Sequence, residues 1–185
     1  MTPTPPAAAR DVLAFWFDTL EPHQWFVADE RVDRHIAARF GALLPAARAG
    51  WLADWRDTPD GRLAEILVLD QFARNIHRGT AEAFAGDALA RERADAAIAA
   101  EADSALPVAR RVFVYMPFMH SESIADHDRA ARLFDVPGME TQQHHEARHR
   151  AVLERFGRYP QRNAALGRES TAEEAAFLAE PGAAF

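Results

Sequence analysis

Apolar residues recur along this chain at helical spacing, most clearly from Pro59 to Gly79. Leu63, Ile66 and Leu67 form one stripe, and Asp70 and Arg74 continue it at i+3/i+4 steps. Thr58 before Pro59 reads as a hydroxyl cap with a first-turn proline, and Gly79 as a left-handed stop. An apolar face thus runs into a carboxylate, a guanidinium and the amides Gln71 and Asn75. That is where a core ends and a candidate site begins.

The same pattern predicts the other elements. After a proline-rich leader over residues 1–6, Val12, Leu13, Trp16 and Leu20 mark a helix that Pro22 ends. Val32, Ile36, Phe40 and Leu43 predict a second helix from Asp29 to Leu44. An alanine-rich helix follows from Asp87 to about Asp103. Pro107 opens the next, with Val108, Val112, Tyr115, Met116 and Met119 on one face and Pro117 set to kink or end it. Ser123 with Asp126, and Ser170 with Glu173, read as capping boxes. A longer helix runs from Met139 to Phe156, where Gly157 stops it. No stretch alternates apolar and polar residues with β-branched enrichment. The expectation is an all-α fold, residues 1–185 as a single domain of about eight to ten helices packed as antiparallel hairpins. No repeat of about 34 residues is legible.

Composition narrows the chemistry. The 185 residues are 49% hydrophobic and carry a net charge of −7, against nucleic-acid or membrane partners. Cysteine is absent, which removes disulfides and thiolate chemistry. All 21 basic residues are arginine, which removes Schiff-base and P-loop lysines. The leader lacks the features of a signal peptide, and the apolar run Val12 to Phe17 is too short to span a bilayer. A cytoplasmic protein is expected.

Three segments carry candidate chemistry. Both asparagines of the chain follow an arginine, in QFARNIHRG and FGRYPQRNAALGR, bringing forward Arg74, Asn75, Arg158, Arg162 and Asn163. A planar guanidinium suits carboxylate or phosphate. Between His144 and Arg168 six arginines and three histidines face only Glu146 and Glu154, a basic arm on an acidic protein. Its alternative meaning is a solvated face. Within it, His145-Glu146-Ala147-Arg148-His149 matches the HExxH zinc signature, with Glu169 a conceivable third ligand, but Arg148 sets a fixed cation inside the motif. In MPFMHSE, His120 and Glu122 stand at a helix entrance, where a histidine beside a carboxylate can act as a general base or simply pack a corner. Ser121 lacks a glycine elbow, so a serine hydrolase is rejected.

Together LDQFARNIHRGT, AFAGDALA, FVYMPFMHSE and RFGRYPQRNAALGRESTAEE resemble the bacterial family called domain of unknown function 924. VLAFWF and WRDTPDGRLA extend the resemblance over nearly the whole chain. It implies an all-helical, tetratricopeptide-like fold and no established activity. It also implies that Asp70, Gln71, Arg74, Asn75, Arg78, His120, Glu122, His149, Arg158, Arg162, Asn163 and Arg168 are family-motif positions. The chain departs from the pattern at Gln161, where histidine is usual, and at Tyr159, where phenylalanine is usual. His145 lies outside the motif.

The reading is a binding module whose three segments converge on one pocket for a small anionic ligand or a peptide carboxylate. Its ligand-binding residues are Asp70, Arg74, Asn75, His120, Glu122, His149, Arg158, Arg162 and Asn163. His120, Glu122 and His149 are the catalytic candidates if there is a reaction; no metal or cofactor is expected. The alternatives are a metal-dependent hydrolase using His145, Glu146 and His149, and a protein-interaction scaffold with structural arginines.

Overall fold

The computed structural model describes residues 6–182. Its helices run α1 (Ala7–Ala14), α2 (Glu30–Phe40), α3 (Leu43–Arg48), α4 (Pro59–Leu67), α5 (Ala73–Ile76), α6 (Asp87–Ala99), α7 (Val108–Met119), α8 (Ile124–Leu133), α9 (Glu140–Phe156) and α10 (Ala172–Leu178). Short 3₁₀ turns join several of them, and no strand occurs among the described residues. The fold is all-α. Residues 1–5 of the expected leader lie outside the described residues, and Pro6 is the N-cap of α1.

The Thr58 hydroxyl accepts from the Gly61 amide and starts the central helix, with Pro59 in its first turn. Between α4 and α5 this helix widens through a π-helical turn at Val68–Phe72 without breaking. Residues 63–73 are all buried, because α1, α6 and α7 pack around α4. A solenoid would stack each unit on its sequence neighbours alone. Here one helix is enclosed on several sides, and the tetratricopeptide label is not confirmed. Enclosure also buries Glu65, which Arg56 grips through two bonds of 2.7 Å while Arg93 lies at 3.3 Å.

Three local expectations shift. The helix expected from Asp29 to Leu44 is interrupted after Phe40, and Pro45 falls in the first turn of a separate α3. Its missing N–H leaves no bond unmade there. Ser123 makes no side-chain cap; Asp126 instead accepts from Ser121 at 2.5 Å and pairs with Arg91 at 3.3 Å. The final capping box uses Thr171 and Glu174, one residue later than Ser170 and Glu173.

Candidate functional site

Asp70 and Arg74 lie one turn apart on the central helix, so their side chains stack on one face. Arg74 donates to the Asp70 carbonyl at 2.8 Å and stands 3.0 Å from the Asp70 carboxylate. Its two terminal nitrogens fork onto Asp87 at 2.9 and 3.0 Å. Gly86 permits this contact. A Cβ there would lie 2.8 Å from the Leu69 carbonyl oxygen, so only glycine lets the start of α6 come this close.

The end of α7 supplies the third group. His120 caps that helix, and its Nδ1 lies 2.8 Å from Asp70 Oδ1. The Gln71 amide donates to Asp70 Oδ2. From the C-terminal arm, Arg162 donates to the His120 carbonyl at 2.7 Å and to Asp87 at 3.3 Å. Its guanidinium lies over Phe84 and Tyr159, 4.6 and 4.7 Å from the ring centroids. Arg74 and Arg162 thus share the Asp87 carboxylate. Segments far apart in the chain do meet.

They meet at a cleft of about 510 Å³. Arg74, Arg78, Arg148 and Arg162 line it with His120, His145 and His149, and no aspartate or glutamate is among its lining residues. Trp25, Phe26, Val27, Phe84, Met116 and Met119 form an apolar wall. Asp70, 1% exposed, lies behind the surface.

Electrostatics follow from this burial. Desolvation pushes the Asp70 carboxyl up, but Arg74 and then His120 overcome it and hold it well below the usual carboxylate range. Burial lowers His120, against the opposing pull of Asp70, so the imidazole is neutral at pH 7. His149 falls further, to about 3, through burial and then the neighbouring His120. Burial and the proximity of Arg74 also lower Arg162.

The HExxH residues do not share one face of α9. Glu146 is 2% exposed and bonded to His127 at 2.7 Å, on a different face of α9 from His145 and His149. The His149 Nδ1 lies 2.8 Å from the His145 carbonyl. Among the described residues no group of three histidine, aspartate or glutamate side chains stands where it could hold a metal ion.

Asp70, Arg74, His120, His149 and Arg162 gather at or just behind the cleft. Asn75 lines it but donates to Asp33 at 2.7 Å. Glu122, Arg158 and Asn163 are not among its lining residues. Arg158 is held by both oxygens of Glu174 at 2.6 and 2.8 Å, and drives that carboxyl down to about 2. Glu122 accepts from the Tyr159 amide at 2.7 Å and takes a two-pronged grip from Arg168 at 2.8 and 2.9 Å. Asn163 accepts from Arg168 at 2.9 Å and is 1% exposed. Glu122 ties the C-terminal arm to the end of α7, while Arg158 and Asn163 brace the arm internally through Glu174 and Arg168.

Sequence reasoning missed Asp87, Phe84 and the aromatic wall. Asp87 was legible only as a helix start, although the Gly86-Asp87 step within AFAGDALA marks a close backbone approach.

Residues 12–182 match a family described as bacterial protein of unknown function (DUF924). A solved structure of a protein of unknown function, ATU0120 from Agrobacterium tumefaciens, is similar at 43% sequence identity and a TM-score of 0.90. The likeness covers 95% of this chain and 98% of that one. No curated protein matches.

Proposed function

The chain belongs to this bacterial family of unknown function, and we propose that it binds a small anionic ligand with an apolar part. The observation that carries the reading is the cleft lining: four arginines and, among the described residues, no aspartate or glutamate, on a protein of net charge −7. Guanidiniums present planar donors to a carboxylate or phosphate, and the wall of Trp25, Phe26 and the methionines suits the rest of the molecule. A free carboxylate metabolite or a peptide terminus satisfies both halves.

The same reading has the protein working in the cytoplasm, and not on nucleic acid, whose phosphates its overall charge repels. No helix among the described residues is long and apolar enough to cross a membrane.

Titration calorimetry with glutarate and with inorganic phosphate tests the proposal. Wild type should bind at least one of them, and Arg162→Gln should bind about tenfold more weakly, a loss near 1.4 kcal/mol. Absence of binding by wild type to either anion, or an unchanged affinity in a folded Arg162→Gln, overturns it.

A further inference from the structure

We propose that His120 is a general base and that the cleft hydrolyses an ester whose acyl part carries an anionic group; this rests on the anion-binding reading above. Asp70 Oδ1 lies 2.8 Å from His120 Nδ1, and an ionised carboxylate only accepts, so Nδ1 carries the proton. Arg74 and Gln71 hold Asp70 in turn, which fixes the ring as well as its tautomer. The remaining nitrogen, Nε2, takes no hydrogen bond from any described residue, and it belongs to a side chain that lines the cleft.

The surroundings say what such a base would serve. Among the described residues no side-chain nucleophile lines the cleft: the Ser121 hydroxyl donates to Asp126 at 2.5 Å, and the chain has neither cysteine nor lysine. The nucleophile is therefore water. An imidazole held below its usual range is better matched to water attacking an activated acyl carbon than to removing a proton from carbon. Arg162, 2.7 Å from the His120 carbonyl, and Arg74, 3.0 Å from Asp70, set two guanidiniums beside the dyad. They hold the anionic group and face the charge that develops on the carbonyl oxygen.

In the step, His120 Nε2 takes a proton from water as the water oxygen bonds to the carbonyl carbon. The carbonyl electron pair moves onto its oxygen. Collapse of this adduct breaks the bond to the ester oxygen, which leaves as an alcohol with the proton returned from Nε2. The acid formed releases its own proton to solvent, and the imidazole is neutral again.

The test uses the 4-nitrophenyl half-ester of glutaric acid and, as control, neutral 4-nitrophenyl butyrate. Wild type should hydrolyse the half-ester at least about a hundredfold faster than the buffer background, and prefer it to the butyrate. His120→Gln should lose that rate, and His120→Ala should recover part of it with added imidazole. The wild-type rate should rise with pH to a plateau reached below the ordinary histidine range. Glutarate binding is measured in parallel on wild type and His120→Gln. Binding without wild-type turnover, or turnover that survives in folded His120→Gln, overturns the catalytic proposal alone. Loss of glutarate and phosphate binding in wild type removes the pocket reading beneath it. The wild-type rate decides the matter even where a His120 variant fails to fold.

Discussion

The His120 imidazole lies 2.8 Å from the Asp70 carboxylate across fifty residues of sequence, and this bond joins the end of α7 to the middle of the central helix. The same carboxylate also accepts from Gln71 and faces Arg74. A buried acceptor left unpaired costs about 1–3 kcal/mol, so the loss of any of these partners weakens the fold at Asp70. One residue therefore organises both the packing and the floor of the cleft.

Asp70→Ala should destabilise the protein far more than Arg78→Ala. Removing one member of a buried charged set typically costs about 3–5 kcal/mol, and Asp70 is 1% exposed. Arg78 pairs with Asp33 at 2.7 Å, but its side chain is 46% exposed, so its loss should cost about 0–1 kcal/mol. Urea denaturation midpoints rank the two directly, and equal midpoints would contradict the placement of this face.

Acidification should weaken the fold before carboxylates begin to titrate. His149 falls to about 3 in the folded protein, below its unfolded value near 6.5. The unfolded chain therefore binds the extra proton first. His149 contributes no penalty above the unfolded value, and stability is lost progressively as pH falls from there toward the folded value. By pH 5 the loss from this residue reaches about 2 kcal/mol. His149→Gln should flatten the stability profile between pH 7 and about 5, measured by denaturant melts at each pH.

Much of the architecture was legible because it depends on local periodicity. The apolar stripe through Leu63, Ile66 and Leu67 ran into Asp70 and Arg74, and those residues do sit at the boundary between core and cleft. What periodicity lacks is any record of partners. Arg162 reaches Asp87 across 75 residues, and Asn75 reaches Asp33 across 42. Arg158 and Arg162 stand four residues apart in one motif, yet the turn at Pro160–Arg162 sends one to Glu174 and the other over Phe84. The π-helical turn at Val68–Phe72 is equally silent, since it changes backbone phase without demanding a residue type. Ser170 lost the cap to Thr171 because adjacent hydroxyls offer the same signal.

Glu122 should act on the C-terminal arm and leave the cleft intact. It binds the Tyr159 amide and the Arg168 guanidinium, and Arg168 continues to the Tyr159 carbonyl at 3.1 Å. Glu122→Gln keeps the shape but removes the charge, at a cost of about 1.5–3 kcal/mol for hydrogen bonds to an ionised group. Amide exchange should quicken across residues 158–178 while the amides of α4 stay protected. Uniform exchange over both regions would mean that the arm and the bundle open as one unit.

Asp87 gives the sharpest separation between a structural and a binding role for the arginines. Its carboxylate is the shared counter-ion of Arg74 and Arg162, at 2.9 to 3.3 Å. Both guanidiniums border the cleft, so any anion that enters competes with Asp87 for them. Asp87→Asn keeps an acceptor oxygen in place and removes the negative charge. Two largely buried cations then face each other with Asp70 the one carboxylate left, paired to Arg74, and the fold should lose about 3 kcal/mol. An added anion restores the missing charge, so the variant should bind phosphate or glutarate about tenfold more tightly than wild type, and should gain thermal stability as that anion is added. Calorimetry and melting curves read the two effects on the same sample. A variant that is destabilised but gains neither affinity nor anion-dependent stability would show that Arg74 and Arg162 serve the packing of α6 against the central helix and nothing in the cleft.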